Sequence, residues 1–314
     1  MNILLTGGAG FIGSHIGDAL IADGHTVIAV DNLSTGDREN VNNEAYFYEC
    51  DIRDRDAIDR VFRENRIDLV SHHAAQTDVR RSVARPGYDA SVNILGLLNL
   101  MDCCLQHNVA RVMFASTGGA IYGEQDYFPA DEKHPTRPIS PYGVSKLSSE
   151  AYLYYYSAVH GVDVAILRYA NVYGPRQNPH GEAGVAAIFT NNILAGKECV
   201  INGDGSQTRD YVFVGDVVAA NVAALPNRGY NVFNIGTGEE TDVNRMYDLL
   251  RMYAGSDTVP LHGPGKSGEQ KRSVLDASKI GRVYGWKPTE TVESGLSKTV
   301  SWFMSRAAMA VPTV

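Results

Sequence analysis

The segment TGGAGFIG, which follows a short apolar run near residue 1, constrains the fold more than any other feature of the sequence. Its glycines satisfy two spacings, G-x-G-x-x-G starting at Gly8 and G-x-x-G-x-x-G starting at Gly7, and both end at Gly13. Between a strand and a helix, such glycines bring bare backbone and a helix N-terminus to a pyrophosphate. They also suit a tight turn without a ligand, so the surrounding pattern has to decide.

The surrounding pattern is a regular alternation of strand-like and helix-like segments up to about residue 170. Apolar runs predict strands at NILLT, HTVIAV, AYFYEC, IDLVSHH, RVMFAS and VDVAILRY, and helical patterns cover residues 11–23, 55–65, 86–107 and 140–160. This rhythm predicts an α/β fold with a Rossmann-type, doubly wound parallel sheet. We expect a dinucleotide-binding domain over residues 1–170 and a smaller, loop-rich α/β substrate domain over residues 171–314, some segments of which return to the first domain.

Asp31 ends the second predicted strand, about 20 residues beyond the glycines, where an acid accepts hydrogen bonds from an adenosine ribose. Taken alone, Asp31 is equally well explained as the first residue of a loop. Together with the glycines and the alternation, it predicts dinucleotide binding. A carboxylate at this position repels a 2′-phosphate, so the expected cofactor is NAD rather than NADP.

The stretch SPYGVSK places Tyr142 four residues ahead of Lys146, on one face of a predicted helix. A tyrosine phenol has a pKa of about 10 and becomes a base at neutral pH only if nearby cations lower that value. Lys146 and the nicotinamide of NAD⁺ are the expected cations. With 17 tyrosines in the chain, the spacing could also arise by chance. However, Ser116 and Thr117 end the fifth predicted strand at the same crevice, and such a hydroxyl can bond the oxygen whose proton Tyr142 takes.

Charge and cysteine content exclude several other functions. The net charge is −8 without a dense basic run, which argues against a nucleic-acid or membrane-surface role. Four cysteines show no metal-ligand spacing, so we expect no metal and a reducing compartment. No charged leader and no apolar span of about 18 residues is recognisable. We therefore expect a cytoplasmic protein.

With TGGAGFIG, Asp31, STGGAIYG and YGVSK in this order, the chain resembles the extended short-chain dehydrogenases/reductases, and among them most closely the UDP-glucose (UDP-galactose) 4-epimerases. LRYANVYGPRQ, TRDYVFVGDVV and LDASKI extend the resemblance over nearly the whole chain. The resemblance implies NAD-dependent inversion at C4 of a UDP-hexose through a 4-keto intermediate, with UDP-GalNAc and UDP-GlcNAc as further substrates. It also implies a homodimer formed by helices from SVNILGLLNLMDCCL and from the tyrosine-rich segment after Lys146.

The resemblance also implies residue roles. Thr117, Tyr142 and Lys146 would be catalytic. The cofactor positions would be Gly7, Gly10, Phe11, Ile12 and Gly13 at the pyrophosphate, Asp31, Asn32, Ser34 and Gly36 at the ribose, Asp51 and Ile52 at the adenine, and Ala74, Ala75, Gln76, Asn93, Tyr142, Lys146 and Tyr169 towards the nicotinamide. The sugar-nucleotide positions would be Thr77, Thr117, Tyr142, Asn171, Val185, Val200, Arg209, Lys266, Glu269 and Ser273.

Two positions depart from the family pattern. The R-x-G-[DE] segment of the family is KSGE here, so Lys266 replaces a forked guanidinium by a point charge, although Glu269 remains. Ser273 stands where epimerases restricted to glucose and galactose carry a tyrosine. A small residue at this position would leave room for an N-acetyl group at C2.

Other activities remain open at this point. A UDP-glucuronate 4-epimerase or decarboxylase would need only a modest change of loop donors. A nucleotide-sugar 4,6-dehydratase carries an acid pair after the threonine, where this chain has Gly118 and Gly119. A non-catalytic NAD sensor could share the fold, but such a protein has no need for Thr117, Tyr142 and Lys146.

Overall fold

The computed structural model of the chain describes residues 1–179, 184–265 and 270–309. Its strands are β1 (Asn2–Thr6), β2 (Thr26–Asp31), β3 (Tyr46–Glu49), β4 (Leu69–His72), β5 (Arg111–Thr117), β6 (Asp163–Tyr169), β7 (Asn171–Tyr173), β8 (Val200–Asn202), β9 (Thr208–Arg209), β10 (Tyr211–Phe213), β11 (Tyr230–Ile235), β12 (Thr241–Asp242), β13 (Leu261–Gly263) and β14 (Arg272–Ser273).

The α helices of the described residues are α1 (Phe11–Ala22), α2 (Arg55–Glu64), α3 (Val79–Ala84), α4 (Pro86–Ala90), α5 (Gly96–Gln106), α6 (Gly118–Ile121), α7 (Pro141–His160), α8 (Val185–Leu194), α9 (Val214–Ala224), α10 (Val243–Tyr253), α11 (Ser278–Tyr284) and α12 (Val292–Met309). A 3-10 turn covers Arg38–Asn40. A π-helical turn, Ser91–Leu95, joins α4 to α5.

The described residues form a central sheet of seven parallel strands in the order β11-β6-β5-β4-β1-β2-β3. The chain winds outwards from β1 to β3, returns to place β4 on the other side of β1, and continues outwards through β5 and β6. The order therefore reverses between β1 and β4, which in open α/β sheets opens a ligand crevice at the carboxyl ends of the strands. The predicted doubly wound α/β fold is confirmed.

Helices cover both faces of this sheet because its strands are apolar on both sides. On one face, α2, α5 and α7 pack through residues such as Ile58, Leu100 and Leu153. On the other face, α1 and α9 pack through residues such as Ile16 and Val217. Burial on both faces explains why the strand sequences are continuous apolar runs rather than alternating ones.

The later part of the chain divides between the two regions that the sequence predicts. Strand β11 extends the central sheet beside β6, and α9 and α11 pack on its second face. Helices α8, α10 and α12 form a separate core with Tyr173 and Tyr211. Later segments thus return to the first core, and the exact division into domains at residue 170 stays a prediction.

Candidate active site

The turn between β1 and α1 brings bare backbone against the end of β4. Gly7 has a φ of +70°, and a Cβ atom there would lie 2.7 Å from Ala74 N. A Cβ atom on Gly13 would lie 2.1 Å from the carbonyl oxygen of Gly7, which accepts a hydrogen bond from Gly10 N at 3.0 Å. The contacting glycines are therefore Gly7, Gly10 and Gly13, whereas Gly8 faces Ala29 of β2.

The N-terminus of α1 is free to receive an anion. Gly10 caps the helix without a side-chain hydrogen bond, and the first turn contains no acidic residue. The positive end of a helix dipole with unsatisfied N–H groups is a general anion site. Phe11 and Ile12, which were predicted at the pyrophosphate, form this first turn and are half-buried.

Asp31 lies at the carboxyl end of β2, buried between two backbone segments. Its carboxylate accepts hydrogen bonds from Ala9 N at 3.1 Å and Leu33 N at 2.9 Å. Burial raises the pKa of Asp31, and these backbone donors counteract that effect. The predicted ribose residue is thus fixed beside the glycine turn, and Gly36 approaches Ala9 so closely that a Cβ atom there would lie 3.0 Å from the Ala9 carbonyl carbon.

The predicted adenine side of the crevice is a polar rim followed by an apolar floor. Asn32 donates to Asp51 at 2.8 Å and accepts from Ser34 N at 3.1 Å. The Arg53 side chain bonds Asp51 and lowers the pKa of that carboxyl to about 2. Ile52 is buried and packs against Gly96. The four predicted residues therefore follow the carboxyl ends of β2 and β3: Asn32, Ser34, Asp51 and Ile52.

The segment after β4 is held to the π-helical turn by a pair of backbone contacts. Gln76 N donates to Asn93 Oδ1 and Asn93 Nδ2 donates to the Gln76 carbonyl oxygen, both at 2.9 Å. Ala74 and Ala75 precede this contact and are half-buried. Tyr169, on β6, bonds Asn221 through its hydroxyl and lies parallel to the His73 ring at 6.5 Å between centroids. The predicted nicotinamide-side residues thus share one part of the crevice.

Helix α7 begins immediately before Tyr142 for clear local reasons. Ser140 accepts a hydrogen bond from Gly143 N as N-cap, and Pro141 occupies the first helical position. Lys146, one turn later, is buried and donates from Nζ to the carbonyl oxygen of Ala115 at 2.8 Å. Ala115 lies on β5 two residues before Thr117, so this bond joins the Tyr-Lys helix to the strand that carries the predicted hydroxyl.

Thr117 and Asn171 border the same space at the end of the sheet. A Cβ atom on Gly119 would lie 3.6 Å from Asn171 Oδ1 and 3.9 Å from Thr117 Oγ1. Gly118 is different, because a Cβ atom there would lie 2.5 Å from a methyl group of Leu275. Of these two glycines at the start of α6, only Gly119 could carry a Cβ atom without a close contact. Neither position carries the acid that a 4,6-dehydratase requires.

Burial shifts the pKa of both helix residues towards their neutral forms. It lowers the pKa of Lys146 to about 8, and the charges of Asp89 and Glu150 partly offset this. It raises the pKa of Tyr142, and the charge of Asp89 raises it further. The chain's own groups thus act opposite to the lowering that the sequence predicts for Tyr142, because burial disfavours the charged phenolate and the negative charge of Asp89 disfavours it further.

The predicted sugar-nucleotide residues lie on several later segments. Arg209 on β9 pairs in register with Ser273 on β14, which is 3% exposed. Thr77 follows β4, Val185 begins α8 and Val200 begins β8. The roles of these three residues stay predictions. Lys266 and Glu269 lie outside the described residues.

Sequence reasoning missed a group of buried polar residues behind the site. Glu150 on α7 accepts from Arg168 on β6 through two nitrogens, at 3.0 and 2.6 Å, and from Ser116 Oγ at 2.6 Å. Ser116, considered above as a site hydroxyl, therefore bonds inwards. Asp89 is the second such carboxylate. Its position four residues before Asn93, on the same face of a predicted helix, was the available signal.

The described residues contain no cluster of three or more side chains suited to a metal ion. They also contain no helix that combines the length and apolar character needed to cross a membrane.

The glycine cradle, the free N-terminus of α1 and Asp31 fit a dinucleotide, and Tyr142 and Lys146 on one helix fit oxidoreductase-type chemistry beside it. Together they define an NAD-binding enzyme of the short-chain dehydrogenase/reductase type. The sequence profile of the NAD dependent epimerase/dehydratase family matches residues 3–236. The chain belongs to this family, and NAD is its cofactor.

Individual relatives match over almost the full chain. The UDP-glucose 4-epimerase of Mycolicibacterium smegmatis is 42% identical over 313 residues, which cover 98% of this chain and 100% of the relative. The crystal structure of Thermotoga maritima UDP-glucose 4-epimerase with UDP-glucose has a TM-score of 0.96 at 48% identity, covering 98% of this chain and 100% of that chain. The crystal structure of the Thermus thermophilus UDP-glucose 4-epimerase complex with NAD has a TM-score of 0.93 at 44% identity, covering 99% and 100%.

Proposed function

We propose that the chain is a UDP-glucose 4-epimerase-type isomerase that inverts C4 of a UDP-hexose, interconverting UDP-galactose and UDP-glucose. The observation that carries the proposal is the bond from Lys146 Nζ to the Ala115 carbonyl oxygen, which joins the Tyr142 helix to the strand ending in Thr117. The glycine cradle follows β1, which is separated from β5 only by β4, and the switch point lies between β4 and β1. The similarity to epimerases over nearly the whole chain supports the same reaction.

In this proposal the NAD-binding residues form a continuous path along the sheet edge. The pyrophosphate is held at the α1 N-terminus by Gly7, Gly10, Phe11, Ile12 and Gly13. The ribose is held by Asp31, Asn32, Ser34 and Gly36, and the adenine lies between Asp51 and Ile52. The path from there to Tyr142 and Lys146 is formed by Ala74, Ala75, Gln76, Asn93 and Tyr169. Bound NAD supplies the acceptor, and later the donor, of the C4 hydride.

The chain's own residues handle the proton. Tyr142 takes the proton from the O4 hydroxyl of the hexose while Thr117 donates a hydrogen bond to that oxygen. Positive charge on Lys146 stabilises the Tyr142 phenolate. Tyr142 returns the proton when the 4-keto sugar is reduced on its opposite face. Lowering a phenol pKa by three units takes about 4 kcal/mol, so both Lys146 and the nicotinamide charge contribute.

Turning the 4-keto sugar requires firm contacts to the diphosphate and loose contacts to the hexose. Asn171 borders the Thr117 space, and Arg209 brings a guanidinium to the late strands, so these two residues anchor the nucleotide in this proposal. The remaining predicted contacts of the sugar nucleotide are Thr77, Val185, Val200, Lys266 and Glu269. Ser273 beside Arg209 supplies space at C2 for an N-acetyl group.

A panel of substrates tests the function. The purified protein, with and without added NAD⁺, is incubated separately with UDP-galactose, UDP-GalNAc and UDP-glucuronate, and proton NMR follows the C4 configuration. We expect UDP-galactose to become UDP-glucose and UDP-GalNAc to react in parallel because residue 273 is small. If only UDP-glucuronate reacted, the substrate would be UDP-glucuronate and not UDP-galactose. Failure of all three substrates with NAD bound would contradict the proposal.

We further propose that the protein is a homodimer formed through α7 and the preceding π-helical turn. Val144, Tyr152, Tyr155 and Val159 recur at helical spacing along one face of α7 and are 42–63% exposed, and Leu95 on the π-helical turn is 56% exposed. Each copy contributes α7 and α5, the helix that continues from the π-helical turn, so two copies form a four-helix interface.

A cytoplasmic location is also proposed, supported by four cysteines that are free thiols.

Charged substitutions on α7 test the dimer. We expect the double variant Tyr152→Glu/Tyr155→Glu to run as a monomer in light scattering, since an interface cannot bury two unpaired carboxylates. Tyr46→Glu on the edge strand β3 is the matched control, because Tyr46 is 62% exposed and lies at the far edge of the sheet. A parent protein that is already monomeric, or a double variant that stays dimeric, would rule out this interface.

A further inference from the structure

Asp89 is a buried carboxylate that the proposed mechanism does not use. It lies in α4, is 0% exposed, and packs against the first turns of α7. A buried carboxylate is costly unless hydrogen-bond donors compensate it. Three donors do so: Gln76 Nε2 at 2.8 Å and Asn93 Nδ2 at 3.1 Å bond Oδ1, and Ser145 Oγ bonds Oδ2 at 2.6 Å.

Backbone contacts fix the direction of both amide donors. Gln76 Oε1 accepts from Asp78 N and Gln76 Nε2 also donates to the Asp78 carbonyl oxygen, both at 2.9 Å. Asn93 is fixed in the same way by the backbone N–H and carbonyl of Gln76. Only N–H groups can therefore face Asp89 Oδ1, so this oxygen accepts both hydrogen bonds.

The three partners belong to three different parts of the site. Gln76 lies in the segment predicted to lead to the nicotinamide, Asn93 lies on the π-helical turn, and Ser145 immediately precedes Lys146 on α7. We propose that Asp89 is a positioning residue for proton transfer. Its carboxylate ties the cofactor-side segment to the Tyr142–Lys146 turn and places a fixed negative charge beside that pair. This inference rests on the proposed epimerase function.

Other charged or titratable groups lie around this turn. They include Lys146 and Glu150 on α7, His72 and His73 at the end of β4, Arg168 on β6, and, along α3 and α4, Asp78, Arg80, Arg81, Arg85 and Tyr88. Burial and Lys146 lower the pKa of His73 to about 3, so this histidine is neutral. Arg168 is paired with Glu150. Asp89 is thus the carboxylate whose charge raises the pKa of both Tyr142 and Lys146.

Asp89→Asn removes the charge and preserves the contacts. The new side chain keeps an oxygen towards Gln76 and Asn93, and its amide faces Ser145 Oγ, which can accept instead of donate. Without the negative charge, the pKa values of Tyr142 and Lys146 both fall. In the kcat profile with UDP-galactose, the rise set by Tyr142 and the decline set by Lys146 are both expected to move to lower pH by about 1 unit.

A spectroscopic titration gives the same information without turnover. In the NAD-loaded protein, the tyrosinate absorbance of Tyr142 is the difference between each protein and its Tyr142→Phe counterpart. We expect this titration to shift to lower pH in Asp89→Asn. If the parent protein turns over no UDP-sugar, the proposed function fails while this titration still tests Asp89. An unchanged titration and unchanged limbs in Asp89→Asn would overturn the inference.

Two serines on α7 provide a second test that does not depend on the folding of Asp89→Asn. Ser145→Ala removes the tie to Asp89 and keeps the charge, so kcat is expected to fall about 10-fold with unchanged KM and unchanged limbs. Ser149 is equally buried but bonds only carbonyl oxygens, of Asn93 and Ser145. Ser149→Ala is expected to lose similar stability and to keep kcat. Equal kcat in the two variants would contradict the positioning role.

Discussion

Replacing Tyr142 by phenylalanine is expected to lower kcat for UDP-galactose by about 10²–10⁴-fold, the usual contribution of a positioned general acid-base. The phenol is the group that takes and returns the O4 proton in the proposed mechanism, and the ring itself can remain in place. The measurement is conversion to UDP-glucose followed by proton NMR. Bound NAD, released by denaturation and quantified, is expected to equal that of the parent protein.

Tyr46→Phe is the matched control for this experiment, because Tyr46 lies on the edge strand β3 and is largely exposed. It is expected to retain the parent rate. If Tyr142→Phe also retained the parent rate, Tyr142 would not be the proton acceptor. A protein that binds NAD and has no activity before or after the substitution would instead match the non-catalytic sensor.

The second large effect is expected at Gly7, where Gly7→Ala should weaken NAD binding by about 100-fold, or about 3 kcal/mol. The alanine methyl group would lie 2.7 Å from Ala74 N, so the backbone on one side of the cradle must move. Isothermal titration of the NAD-free protein with NAD⁺ measures the change. Thermal unfolding of the same samples separates a loss of affinity from a loss of fold.

Gly24→Ala separates the close approach from the backbone strain. Gly24 has a φ of +78°, similar to the +70° of Gly7, but no atom lies within 4 Å of a Cβ atom there. Both variants incur the left-handed conformational cost of about 1–2 kcal/mol in stability, and only Gly7→Ala is expected to lose NAD. Equal NAD affinity in the two variants would show that the cradle is not the pyrophosphate site.

The parallel sheet and its order of elements were predictable because they depend on local patterns. Apolar runs at NILLT and RVMFAS became β1 and β5, and the helix predicted over residues 140–160 became α7 with the Ser140 cap and Pro141 at its start. The helix predicted over residues 86–107 is present as α4, a π-helical turn and α5. The apolar pattern of this segment does not indicate its change of pitch.

The later part of the chain was less predictable. Helices α8, α11 and α12 were not assigned from the sequence, because their apolar residues pack against partners that are distant in the chain. The return of β11 to the central sheet was expected only in general terms. Its register against β6, which pairs Ile235 with Tyr169, depends on the completed fold.

The sequence by itself determined which chemical groups the site contains: glycines at the β1–α1 turn, an acid at the end of β2, a hydroxyl at the end of β5, and a tyrosine and lysine on one helical face. These follow from spacing along the chain. Only the tertiary structure decided the pKa shifts and the hydrogen-bond partners of these groups, because both depend on burial and on contacts between distant parts of the chain. Packing buries Lys146 and lowers its pKa to about 8, and it brings Asp89 to Ser145, more than 50 residues away, at 2.6 Å.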